Sequence, residues 1–292
     1  MILRRRRFLS LLAANLVAIV NCRADAADWT DAVEMPTLFI GHGSPMNAVR
    51  DTAFTRGLRA WGASLPRPVA ILSVSAHWLT PGTTAVSTAA RPRTIHDFGG
   101  FPPELYRIDY PAPGAPEVAR RAGVLVREAQ VLHDAARGLD HGTWTVLRHL
   151  FPHADIPVFQ LSIDYGQPAS FHYRVGQELR ALRRHGVLIL GSGNVVHNLR
   201  ATLRDAPDDA TAATPWANAF DEFVRAALSD RDDRALLGYE ARAGAAMSVP
   251  TPDHYYPLLY ALGASDATAT AKMVFAGFQA GTISMRCVQF GA

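Results

Sequence analysis

The chain has 292 residues, 49% of them hydrophobic, which is ample for a sizeable core in one large domain or two small ones. The formal charge of +3 is misleading: five of the 29 basic residues and one of the 26 acidic residues lie in residues 1–26, and the remainder carries 24 bases against 25 acids. That balance argues against a basic nucleic-acid-binding surface, and no composition break near the middle divides the chain.

The first 26 residues have the layout of an export signal. Arg4 to Arg7 precede an apolar run from Phe8 to Val20, and Ala24-Asp25-Ala26 supplies a small-x-small cleavage pattern. Arg5-Arg6-Arg7-Phe8-Leu9 also fits a twin-arginine signal, the route for folded proteins, although an ordinary Sec signal shares the basic start. The run falls short of the ~20 residues a bilayer span needs, and no later segment is long and apolar enough. The expected mature protein is periplasmic, free of the membrane, and formed by residues 27–292. Cys22 belongs to the signal, which leaves Cys287 alone and excludes an intramolecular disulfide.

Beyond the signal, a first strand is expected at Thr37–Ile40 and a second at Val69–Val74. The stretch from Thr80 to Pro116 is rich in Pro and Gly and long for a simple connection; such loops are often functional. Helices over Pro116–Val131 and Thr143–Phe151 follow, then a strand at Val158–Ile163 and a helix at Ala169–Arg184. A strand at Val187–Leu190 precedes helices at Pro215–Ser229 and His254–Leu262. Pro168 and Pro215 sit where the first turn of a helix tolerates proline. Two last strands, Lys272–Phe278 and Ile283–Gln289, are split by Ala280-Gly281 and read as an antiparallel hairpin. The alternation predicts a single α/β domain, with a largely parallel sheet between helices, and the near-continuous apolar strands suit burial on both faces.

Three histidines share a position just past a buried strand. His42 follows Phe39-Ile40, His77 follows "VAILSVSA", and His197 follows "GVLILGSGNVV". Open α/β sheets bind ligands outside the carboxyl ends of their strands, so three imidazoles there can converge on one divalent ion such as zinc or iron(II). His254, at a helix start in "TPDHYYPLLYALG", is a fourth candidate that spacing alone leaves open. Ser44 in Gly-His-Gly-Ser-Pro lacks the final glycine of a nucleophile elbow; capping the following turn suits it better.

"GHGSPMNA", "LSVSAHW", "HDFGGFPPELYRIDYPAPG", "GLDHGTWTVLRHLFPHADIPVFQLSID", "LGSGNVVHNL" and "PDHYYPLLYALGA" occur in this order. Together they resemble the class III extradiol ring-cleaving dioxygenases, in the subgroup of the 4,5-DOPA dioxygenase and its bacterial relatives, from about Pro36 to Gln289. The resemblance implies one divalent metal per chain at His42, His77, His197 and His254. It also implies His141, in "LDHGTW", as the catalytic acid/base; a cap at the start of the Thr143 helix is the other reading. His96, Phe98 and Ser44 are expected to line the substrate pocket with Phe101, whereas His133, His149, His153, His172 and His185 are expected on the surface.

The implied reaction opens a DOPA-like catechol by inserting O₂. Iron(II) is the metal expected for it; zinc, which has no accessible redox change, is expected in purified protein because it binds tightly. Two other functions fit the same residues: a zinc hydrolase using a metal-bound water, and a non-catalytic periplasmic module that binds a metal or an aromatic compound.

Overall fold

A computed structural model describes residues 32–203 and 212–291; the export segment lies outside the described residues. The strands are β1 (Thr37–Gly41), β2 (Ala70–Thr80), β3 (Thr84–Ser87), β4 (Val131–Asp134), β5 (Val158–Asp164), β6 (Val187–Gly193), β7 (Ala271–Phe275), β8 (Phe278–Gln279), β9 (Ile283–Ser284) and β10 (Cys287–Phe290). The helices are α1 (Ala53–Ser64), α2 (Pro116–Leu125), α3 (His141–Leu150), α4 (Ala169–Leu179), α5 (Pro215–Ser229), α6 (Asp233–Leu237), α7 (Ala245–Ser248) and α8 (Tyr256–Ala264).

Eight strands form one sheet in the order β4-β3-β5-β2-β6-β1-β10-β7, and β8 and β9 form a separate antiparallel hairpin. The four central strands, β5, β2, β6 and β1, are mutually parallel, whereas β10 and β7 add antiparallel strands at one side. This is the expected α/β architecture. The parallel strands are buried along nearly their whole length, which is why β1 and β6 read as near-continuous apolar runs; β5 buries Gln160, Ser162 and Asp164 as well.

Alternate side chains of β1 go to opposite layers, as the strand period of two requires. Leu38 and Ile40 join Leu188, Leu190, Trp61 and Trp144 in the core shared with α1 and α3. Thr37 points the other way and donates to the Ala261 carbonyl of α8 at 2.9 Å. Every residue of α8 is buried, between α4 and the sheet. A fully enclosed helix has no polar face, so its sequence lacks an amphipathic rhythm.

Tertiary pairing corrects several boundaries. The helix expected over Pro116–Val131 stops at Leu125, because Val131–Asp134 pairs with β3 as a parallel strand. Glu178 of α4 accepts from the backbone N–H groups of Arg127 and Glu128, at 2.7 and 3.2 Å, and holds the chain in its turn. α1 was not expected; its start carries a reciprocal capping box between Thr52 and Thr55. Two histidines expected on the surface are buried. The His149 Nε2 is 2.7 Å from the Asn47 carbonyl oxygen, beneath the loop after β1. His172 is sealed between Tyr260 and Gln167, and burial holds its pKa down at about 4.

Candidate metal centre

The carboxyl ends of β1 and β6 lie level, Gly41 pairing with Gly193; β2 pairs with β6 as far as Ser75–Ser192 and then runs on to Thr80. The chain leaves β1 as Gly41-His42-Gly43-Ser44. The His42 N–H donates to the Gly193 carbonyl at 3.0 Å, and Asn47 Nδ2 donates to the His42 carbonyl at 2.8 Å. Gly43 then turns with φ of +62°, and a Cβ there would strike Gln279 and Met285. Ser44 Oγ accepts from the Met46 N–H at 3.3 Å, so it caps the following turn.

His77 differs in one respect from expectation. It does not follow β2 but lies within it, in the stretch from Val74 to Leu79 where the pairing with β5 shifts register. Such irregularities re-aim side chains beside active sites. His197 stands four residues beyond the end of β6, where its N–H donates to the Ser248 carbonyl at 2.8 Å. His254 ends a short 3₁₀ turn, Pro252–His254, ahead of α8. Its carbonyl accepts from the Asn194 N–H at 2.9 Å. A Cβ on Gly193 would come within 2.1 Å of that same carbonyl oxygen, so only glycine lets the His254 turn sit directly on the end of β6.

Five imidazoles therefore meet at one cavity. His42 and His77 approach Nε2 to Nε2 at 3.1 Å, and the donor atoms of His42, His77 and His141 lie within 4.8 Å of one another. His77 and His141 have ring centroids 3.9 Å apart. His197 and His254 stack in parallel at 3.6 Å, and the His254 ring centroid is 5.4 Å from that of His42 and 5.0 Å from that of His77. The cavity, about 360 Å³, is lined by these five residues together with Ser44, Pro45, Phe98, Phe101, Leu199 and Ile283. His96 is not brought to it. Its Nε2 lies 3.0 Å from the Ile108 carbonyl oxygen, its ring packs against Phe98 and Trp144, and it lines a separate cleft with Arg91, Arg93 and Arg107.

The donor set fits a metal ion. Ser192 spends its single hydroxyl proton on the Gly142 carbonyl, so toward His42 Nδ1, 3.0 Å away, it can only accept. The His42 proton is thereby held on Nδ1, and Nε2 presents a lone pair to Nε2 of His77. Two such nitrogens need a shared proton or a cation between them, and nitrogens on one ion at about 2.0–2.1 Å stand roughly 3 Å apart. His254 repeats the pattern: Nδ1 pairs with Asp253, and Nε2 is buried without a partner. Carboxylates and hydroxyls behind metal-binding imidazoles orient them in this way. Burial, reinforced by neighbouring imidazoles, pushes the pKa of His42 and His254 well below the ordinary histidine value and that of His77 to about 4. Burial likewise takes His197 to about 4. Neutral imidazole is the form that binds metals.

His141 opens α3, whose N-cap Asp140 accepts from the Thr143 N–H at 3.2 Å. A helix capped here worked against the expected start at Thr143, and the cap lies at Asp140 and not at His141. Sequence reasoning missed Asp97 altogether. Its Oδ1 accepts from the His141 N–H at 2.9 Å and lies 3.1 Å from Nδ1 of the ring, in a bent contact. Burial alone would raise the Asp97 carboxyl, but the contacts with His141 outweigh it and hold the pKa at about 2. Ser192, Asn47 and Gln279 were missed as well. Asn47 and Ser192 sit inside quoted motifs and Gln279 lies beyond the last of them, and nothing in a serine or an amide marks it in advance as a support.

Residues 36–286 match the family described as "Catalytic LigB subunit of aromatic ring-opening dioxygenase". The chain is 47% identical over 264 residues to the 4,5-DOPA dioxygenase extradiol of Escherichia coli (strain K12), covering 89% of this chain and 96% of that protein. It is 38% identical over 261 residues to the 4,5-DOPA dioxygenase extradiol of Beta vulgaris, covering 87% of this chain and 96% of that one. The crystal structure of an uncharacterized Escherichia coli K12 protein superposes with a TM-score of 0.76 at 42% identity, covering 88% of this chain and all of the other. The match over most of the chain, on a fold that gathers its histidines at the strand ends, makes the protein a member of the LigB family: an extradiol ring-cleaving dioxygenase.

Proposed function

We propose that the protein opens the ring of a catechol, DOPA-like in kind, with O₂ as co-substrate and iron(II) held by His42, His77, His197 and His254. The observation that carries the reading is the pair of buried histidines, His42 and His254, whose Nδ1 atoms each face an oxygen and whose Nε2 atoms are left for a ligand, beside a cavity walled by Phe98 and Phe101. The names of the relatives support a DOPA-type substrate. When bound, iron(II) supplies a redox-active centre at which catechol and O₂ are brought together, a role that zinc's fixed valence does not offer.

The chain's own residues do the rest. Phe98 and Phe101 offer flat apolar surface to the ring and exclude water from one side. His141, whose ring stands edge-on to Phe98 at 5.5 Å, takes a phenolic proton as the catechol binds and returns one to the opening ring. We assign His141 to proton transfer and not to the metal because it opens a helix, apart from the strands and loops that carry His42, His77 and His197, and because the resemblance gives the histidine of "LDHGTW" the acid/base role. Ser44 serves the site by shaping the loop that carries His42.

The test is to load the protein anaerobically with iron(II), add a catechol and admit air. Oxygen uptake with the appearance of a yellow muconic semialdehyde is the expected result. Hydrolysis of an ester without oxygen uptake would instead favour the zinc hydrolase.

We also propose a periplasmic location by the twin-arginine route, which lets the protein fold and take up its metal before export. Replacing Arg5 and Arg6 together by Lys is expected to trap the protein in the cytoplasm. Unchanged periplasmic yield on fractionation would assign it to Sec.

A further inference from the structure

We propose that Asp97 is a positioning residue of the ring-opening reaction, holding His141 in the tautomer and orientation it needs to accept a proton. The inference rests on the acid/base reading of His141. Three features of the structure converge on it.

First, one oxygen of Asp97 meets His141 twice. Oδ1 accepts from the backbone N–H at 2.9 Å and lies 3.1 Å from the ring Nδ1. His141 is the first residue of α3, where backbone N–H groups have no partner within the helix. A carboxylate reaching in from a distant loop satisfies one of them and suits the positive end of the helix. The side chain is thus anchored by the backbone at the distance from which it addresses the ring.

Second, the contact selects a tautomer. A carboxylate can only accept, so beside it the neutral imidazole keeps its proton on Nδ1 and leaves Nε2 as its basic atom. His141 lines the cavity. The Nδ1 contact, at 3.1 Å, is bent; it acts through charge, since a proton on the nitrogen nearer the carboxylate is favoured. The logic is that of a carboxylate behind a histidine base in acyl-transfer triads, with a different reaction in front.

Third, Asp97 couples the base to the substrate wall. It precedes Phe98 in the chain, and Phe98 packs edge-on against His141 at 5.5 Å. Its other oxygen, Oδ2, is 3.9 Å from Nδ1 of His77. Fixing Asp97 to the start of α3 therefore fixes the aromatic face at the same time.

The experiment is a double-mutant cycle of Asp97→Asn and His141→Ala, each variant loaded with iron(II) and assayed for metal content, kcat and KM with catechol. Asparagine keeps the shape and can still accept from the His141 N–H, but it also offers an amide donor and so removes the tautomer preference. Asp97→Asn is expected to lower kcat by about 10- to 100-fold, with KM changed by less than about threefold and iron content unchanged. In the His141→Ala background, Asp97→Asn is expected to have no further effect, because a residue that acts through another has nothing left to act on. A merely structural Asp97 would slow both backgrounds alike. Normal kcat in Asp97→Asn beside a crippled His141→Ala would overturn this inference alone, as would additive losses or a loss of iron. Normal turnover in His141→Ala would overturn the acid/base reading, and the role of Asp97 with it.

Discussion

His77→Ala is expected to lose most of its bound metal and all measurable ring cleavage. His77 projects from the irregular stretch of β2, and its Nε2 lies 3.1 Å from that of His42. The described side chains nearest to its place are His141, whose donor atom lies within 4.8 Å of those of His42 and His77, and Asp97, whose Oδ2 is 3.9 Å away on the Nδ1 side of the ring. Removing a residue that merely supports a ligand typically lowers metal affinity by about 10–100-fold. Removing a ligand should therefore cost at least that, and more where two of the remaining imidazoles, His197 and His254, stack together on the far side. The strand itself is expected to survive, because the backbone pairing of β2 with β6 from Ala70 to Ser75 does not depend on the imidazole. Elemental analysis of protein purified in parallel with the native chain is the measurement. Full metal occupancy in a folded His77→Ala would remove His77 from the ligand set.

His141→Ala is expected to keep its metal and lose turnover by about 10²–10⁴-fold, the range that general acid/base groups contribute. The geometry makes the comparison sharp, since the His141 donor atoms stand as close to His42 and His77 as a ligand's would. His141 is assigned to proton transfer because it opens α3 instead of following a strand; its N–H bonds to Asp97, the same carboxylate faces its Nδ1 at 3.1 Å, and Phe98 stands edge-on to its ring. A base must take up and release a proton in each cycle, so it works best when the metal does not occupy its lone pair. Metal content and initial rate, measured on one iron-loaded sample, separate the possibilities. Lost metal would move His141 to the ligand set, and retained metal with a normal rate would leave it as a structural residue at the start of α3.

Both variants address the same question from opposite sides. His77→Ala removes a group placed in the site by a strand; His141→Ala removes one placed there by a helix start. If the first loses metal and the second loses only rate, His77 is a ligand and His141 is not.

What the sequence determined by itself was whatever depends on neighbours in the chain. The apolar runs of β1, β2 and β6 identified themselves because a strand buried on both faces has few polar side chains to interrupt it, whereas β5, equally buried, carries Gln160, Ser162 and Asp164. The positions of His42 and His197 after such runs, and the order of the motifs, were legible for the same reason. Tertiary structure decided what depends on meeting something remote. Val131–Asp134 became a strand because β3 offered an edge, overriding a helical pattern. His149 and His172 were buried because Asn47 and Tyr260 came to meet them, and His96 stands outside the histidine-lined cavity because the Ile108 carbonyl and the Trp144 ring hold it elsewhere. Asp97 met His141 across 44 positions of chain, and Ser192 met His42 across 150. A periodic pattern records which face of an element is buried; it carries no record of which remote side chain arrives there. Hydrogen-bonded supports are specified by the packing of whole elements, and so they became visible only when β6, α3 and the loop before α2 were assembled around the cavity.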